Sequence, residues 1–139
     1  MTHHLGVGVL ALLVAGTGGC GGSSEPTPTD TGAREAVRAF ADAVVRRDWP
    51  AAQASAAPDA RQAWPPAEFA RRGEAYRQRF GFEPTAAHVR TLEERGDDAT
   101  AHFEYSGNAA GRHHFKETLT LCRRDGKWGV VVPARFGLR

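Results

Sequence analysis

The chain is short of the residues that usually announce chemistry. It has two cysteines, Cys20 and Cys122, too few for a disulfide-framework miniprotein. No C-x-x-C or H-x-x-x-H spacing occurs, so no zinc site is expected. A Gly-rich phosphate loop, a G-x-S-x-G elbow and a basic–aromatic interleave are all missing, and internal repeats are absent too. No cofactor is implied. Neither charge sign dominates: 18 basic against 16 acidic residues leave +2, which excludes a nucleic-acid footprint and an acidic tail. Lysine is rare beside arginine, a bias of composition and not a binding signature. The longest apolar run, Leu5 to Ala15, falls well below the roughly 20 residues of a permanent membrane span.

What is present is one domain's worth of chain with an ordinary globular mix, 139 residues at 41% hydrophobic and 24% charged. The Leu5–Ala15 run has the length of a signal-peptide core, and Gly16-Thr17-Gly18-Gly19-Cys20 follows it. Small residues ending in a lone Cys resemble the lipobox of bacterial lipoprotein signals. There the Cys sulfur takes a diacylglyceryl group and becomes the first residue of the mature chain. Thr17 stands where such signals usually carry an aliphatic residue, and Met1-Thr2-His3-His4 has no Lys or Arg. The alternative is an ordinary cleaved signal. The resemblance divides the chain into a signal peptide over 1–19, a lipidated Cys20 with a Gly/Ser/Pro tether over 20–31, and a domain over 32–136. It implies an exported protein of the cell envelope whose first partner is the membrane, held through the lipid.

From Gly32 the apolar period is helical: Val37, Phe40, Ala41, Val44 and Val45 form one stripe, with Thr31 or Asp30 as cap. Asp48 and Pro50 open a short second helix that Pro58 ends, and Pro65-Pro66 opens a third carrying Phe69, Gly73, Tyr76 and Phe80. Arg71, Arg72, Arg77 and Arg79 read as the solvated face of that helix. After Pro84 the period becomes two. Strands are expected over 87–94, 100–106, 113–123 and 127–132, with 107–111 a loop and Asp125-Gly126 a hairpin turn. Three helices and a four-stranded antiparallel meander make an α+β domain. The expected core is Val37, Phe40, Val44, Phe69, Tyr76, Phe80, Val89, Phe103, Phe115, Leu119, Leu121, Trp128, Val130 and Val132. Trp128 is expected on the concave face of the sheet, near Phe40 and Val44.

Phe40, Ala43, Asp48, Trp49 and Ala52, together with Leu119, Leu121, Asp125, Gly126, Trp128 and Val130, resemble NTF2-like domains of the cystatin-like fold. The likeness is to those of bacterial lipoproteins and transpeptidase N-termini. It implies helices on a curved four-stranded sheet around a cone-shaped pocket. Phe40, Val44, Tyr76, Phe103, Tyr105, Phe115, Glu117 and Trp128 would line that pocket. Members of the family usually carry a strand between the second and third helices, for which only Arg61-Gln62-Ala63-Trp64 is available.

Glu117 shares the parity of Phe115, Leu119 and Leu121, so an unbroken strand points its carboxylate inward. With Tyr105 on the neighbouring strand it is the candidate acid–base pair. The competing reading places Glu117 at a solvated pocket mouth or on an outward bulge. His102, His114 and Glu104 fall on the outer sheet face, and read as surface residues because no third metal ligand is fixed. His113 faces the other way. Cys122 shares the outer face and reads as a structural thiol. Three functions follow as expectations: a non-catalytic, envelope-anchored domain binding a protein or a small apolar ligand; a small isomerase-like enzyme using Glu117 and Tyr105; or an accessory subunit in cell-wall synthesis. The outer sheet face is the candidate surface for a homodimer.

Overall fold

The computed structural model describes residues 30–108 and 110–138, so the signal segment, Cys20 and most of the tether lie outside the described residues. Four helices precede the sheet, one more than the sequence predicts. Helix α1 (Ala33–Arg46) buries Val37, Phe40, Ala41 and Val44 on the expected stripe. Its cap differs from expectation. Gly32 occupies the N-cap at φ 105° and Asp30 Oδ1 accepts from the Gly32 amide, while Thr31 is engaged elsewhere. The helix ends in a Schellman motif, with Asp48 N donating to Ala43 O at 2.9 Å and Arg47 N to Val44 O at 3.2 Å.

Helix α2 (Trp49–Ala54) starts as predicted, with Asp48 Oδ1 accepting from Ala51 N at 3.1 Å and Pro50 in the first turn. It stops short of Ala57 because the next residues leave to cover a sheet edge. Ala57 N donates to Val130 O at 2.7 Å, and Val130 N donates to Ser55 O at 2.9 Å. Pro58 then opens a helix instead of ending one: α3 (Pro58–Ala63) takes the stretch that the family resemblance needed as a strand. Helix α4 (Pro66–Gln78) buries Phe69, Gly73 and Tyr76, and Phe80 is buried just beyond its end.

One of the four arginines of that stretch corrects the solvated-face reading. Arg77 is 4% exposed; its Nη1 donates to Val44 O at 2.6 Å and Val45 O at 2.8 Å, and its Nη2 pairs with Glu83. The carbonyls that gather at the C-terminal end of α1, with the negative end of its dipole, explain why a guanidinium is buried there.

Strands β1 (Ala86–Arg95), β2 (Asp98–Asn108), β3 (Arg112–Arg124) and β4 (Lys127–Val131) form an open antiparallel sheet in chain order. Asp125 and Gly126, at φ 51° and 75°, make the predicted tight turn. Gly107 belongs to β2 and not to a loop; a side chain there would meet Glu83 O at 2.2 Å. Ala99, Ala101, Phe103 and Tyr105 of β2 and Leu119 and Leu121 of β3 bury the face turned to the helices. Val89, Phe115 and Trp128, expected in the core, are half-buried at its margin. Trp128 reaches the start of α1 and not Phe40 and Val44: its indole Nε1 donates to Thr31 Oγ1 at 2.9 Å, and Thr31 Oγ1 donates to Glu94 Oε2 at 2.8 Å. After Val132 the chain turns back under the helices. Phe136 is buried there against Tyr76 (ring centroids 5.0 Å), Phe69 (5.4 Å) and Phe40 (6.4 Å).

Candidate functional site: a small cavity closed by the C-terminal segment

Because β3 runs unbroken opposite β2, Glu117 pairs in register with Phe103 and its side chain points to the helix side. There it lines a cavity of about 100 Å³. Phe40 of α1, Tyr76 of α4, Leu119 of β3 and Val132 and Phe136 of the C-terminal segment supply apolar walls, and Arg79 and Arg135 stand among the lining residues. Glu117 is half-buried. Its Oε2 accepts from the Tyr76 hydroxyl at 3.1 Å, and its Oε1 accepts from the Thr118 amide at 3.1 Å. Burial pushes the Tyr76 phenol well above its ordinary range, and the neighbouring Tyr105 and Glu117 push the same way, so Tyr76 stays a donor.

The acid–base pair suggested by the sequence is therefore not the pair brought together. Tyr105 is fully buried behind the cavity wall, and its hydroxyl faces Tyr76 without a hydrogen bond of good geometry. Burial raises its pKa first, the approach of the Tyr76 hydroxyl pulls it partly back, and the Glu117 charge adds to the rise. Of the eight residues expected to line the pocket, Phe40, Tyr76 and Glu117 do so. Val44 and Phe103 are sealed in the core, Phe115 lies against Phe80 at 4.6 Å, and Trp128 sits at the N-terminal end of α1. The sequence reads Arg79 as part of a solvated helix face and singles out neither Arg135 nor Phe136, which fall beyond the last periodic position of a strand, where no spacing rule speaks.

Glu117 is the one carboxylate among the lining residues, which include no His and no Cys. An arginine does not exchange protons near neutral pH, so besides Glu117 the proton-bearing side chain at the cavity is the Tyr76 phenol, which burial keeps protonated.

On the outer sheet face His114 Nδ1 lies 2.6 Å from Glu104 Oε1, and Arg90 Nη2 lies 3.0 Å from the same oxygen. The Glu104 side chain is only 8% exposed. Arg90 above all, then His114, holds its carboxyl below the usual range against the cost of burial. His102 Nδ1 instead meets Thr118 Oγ1 at 2.8 Å, and His113 stacks on Phe82 at 5.6 Å. Among the described residues no three His, Cys, Asp or Glu side chains are grouped to hold a metal ion. Cys122 is buried, flanked in register by Asp98 and Gly129.

No known protein family and no curated protein matches the chain. Among solved structures, it is similar to the solution structure of a SEC-C motif-containing protein from Rhodopseudomonas palustris. The match has a TM-score of 0.52 at 16% identity, over 70% of this chain and 73% of that one. This likeness is one of fold. It overturns the NTF2-like resemblance, whose supporting residues are packing and turn positions that many α+β domains share. What stands is the coarser description: an α+β domain with helices on one face of an open four-stranded antiparallel sheet. Among the described residues no helix is long and apolar enough to cross a membrane.

Proposed function

We propose that this chain is a non-catalytic binding domain tethered to a membrane of the cell envelope through Cys20. The observation that carries the binding reading is the state of Glu117: a single carboxylate, hydrogen-bonded by a neutral phenol, in a cavity of about 100 Å³. Sites that take up drug-sized molecules run to roughly 300–1,000 Å³, so the ligand is small. The enzyme reading needs a second proton-transfer group facing the same space, and the one there, the Tyr76 phenol, is held protonated by burial, while Tyr105 lies behind the wall. The tether reading rests on the apolar run before Cys20 and the Gly/Ser/Pro segment after it.

The two halves are tested separately. Cys20→Ser is expected to move the protein from the membrane to the soluble fraction, or to leave the precursor uncleaved; unchanged membrane association overturns the tether. Native mass spectrometry of the detergent-extracted protein is expected to find a small molecule that is released unaltered. Chemical conversion of that molecule during incubation overturns the non-catalytic reading.

A further inference from the structure

We propose that the Glu117 cavity is a site for a free α-amino acid with a small aliphatic side chain. This inference deepens the binding reading and rests on it.

Charges of both signs line this one space without meeting. Glu117 is a half-buried carboxylate with no ion pair within 4.0 Å among the described residues, although Arg79 and Arg135 line the same cavity. Those two arginines, both exposed, enter no ion pair among the described residues; the guanidinium carbon of Arg79 lies 6.0 Å from the centroid of the Tyr76 ring. A carboxylate taken partly out of water gains from a cation at hydrogen-bond distance. A cavity lined by one carboxylate and two arginines complements a molecule carrying both charges. The ammonium of an α-amino acid donates to Glu117, and its carboxylate accepts from Arg79 and Arg135, which are suited to carboxylates by their fork of donors.

A second observation points the same way. The Tyr105 hydroxyl is sealed from solvent, has no well-formed hydrogen bond, and faces the Tyr76 phenol that donates to Glu117. A buried hydroxyl left unsatisfied carries a cost that a change at its neighbour can relieve. When an ammonium takes over as donor to Glu117, the Tyr76 hydroxyl is free to turn and pair with Tyr105. The walls then set the side chain. Phe40, Leu119, Val132 and Phe136 are apolar, and about 100 Å³ is well below the roughly 300–1,000 Å³ of drug-sized sites, so a short aliphatic side chain fits best.

The test is calorimetric titration of the full-length chain in detergent with L-alanine and L-valine, and with propylamine and propionate, which each lack one charge. The expected result is saturable binding of an amino acid, with each single-charge analogue at least about tenfold weaker. Glu117→Gln is expected to weaken alanine by about tenfold or more while leaving propionate unchanged, and Arg135→Ala to weaken alanine while leaving propylamine unchanged. Absence of saturable heat with both amino acids up to about 10 mM overturns the proposal, as does an analogue that binds as well as alanine. If either variant fails to fold, the comparison of amino acid with analogues on the unaltered chain decides alone. Failure here leaves the tethered binding domain standing with another ligand. Turnover of a bound amino acid would do the reverse, keeping the site and removing the non-catalytic reading.

Discussion

Gly73 shows how far a single position can run against its local propensity. In the middle of α4, alanine is the better helix former by about 1 kcal/mol. A Cβ at Gly73, however, would lie 2.3 Å from the Trp49 ring, whose Nε1 is fixed to Glu74 Oε1 at 3.0 Å. The overlap is with the body of a rigid indole held at both ends, by its helix and by that hydrogen bond. Gly73→Ala is therefore expected to destabilise by about 1–3 kcal/mol despite its helical preference, read as a lower urea midpoint. A raised midpoint would mean that α2 slides on α4 without penalty. The sequence placed Gly73 on the apolar stripe but could not say which neighbour required it, because Trp49 is close in space and distant in chain. Arg77 failed for the same reason. Its spacing matches the exposed arginines, and only the α1 carbonyls at Val44 and Val45 explain its burial.

At the level of elements, the parts written in local pattern were legible and the parts written in tertiary contact were not. The first helix, the Asp48–Pro50 entry to the second and the Asp125-Gly126 turn each follow from a cap, a period or a dihedral demand. The third helix was missed because Pro58 serves equally to stop one helix and to start another. The C-terminal segment was missed because one aromatic residue has no period. Phe136 nonetheless touches the rings of Phe40, Trp64, Phe69 and Tyr76 and walls the cavity. Phe136→Ala is expected to cost about 3–5 kcal/mol, as truncation of a buried aromatic does. Lys116→Ala, on the open sheet face, is expected to stay within about 0.5 kcal/mol. Trp128→Ala falls between them, because that indole is half-buried and loses one hydrogen bond to Thr31. Thermal midpoints of the three variants check the order. Equal midpoints for Phe136→Ala and Lys116→Ala would show that the segment does not pack as described. For the site, parity alone put Glu117 on the inner face. Its partner differs from expectation because parity puts Tyr105 on the same inner face of the neighbouring strand, whereas the register opposes Glu117 to Phe103 and the hydrogen bond comes from Tyr76 on a helix.

For the whole molecule, the fold leaves one sheet face to the helices and the other to polar side chains, and this division sets its response to acid. Two carboxylates are held in the charged form by arginines. Glu68 is brought down to about 2 from an ordinary 4.5 by hydrogen bonds from Arg71 and then Arg72, and Glu104 on the outer face is lowered by Arg90 and then His114. A carboxyl whose pKa is lower folded than unfolded binds fewer protons in the native state, so its contribution is complete above the unfolded value and is lost as pH falls through the folded one. The domain is accordingly expected to lose thermal stability between about pH 4.5 and about pH 2, the window set by Glu68. Glu68 is bound at the surface of α4, where salt screens it, whereas the Glu104 side chain is 8% exposed among β1, β2 and β3. Added salt should therefore reduce the Glu68 share of the acid slope more than the Glu104 share. Glu104→Gln is expected to lower the midpoint at neutral pH and to flatten its fall on acidification, with the flattening preserved in high salt. Glu68→Gln is expected to flatten the fall chiefly at low salt. Parallel midpoint-versus-pH curves for the native chain and Glu104→Gln would show that the Arg90–Glu104–His114 cluster contributes nothing to the folded state. The outer face would then be a solvated surface, and the acid response would belong to α4 alone.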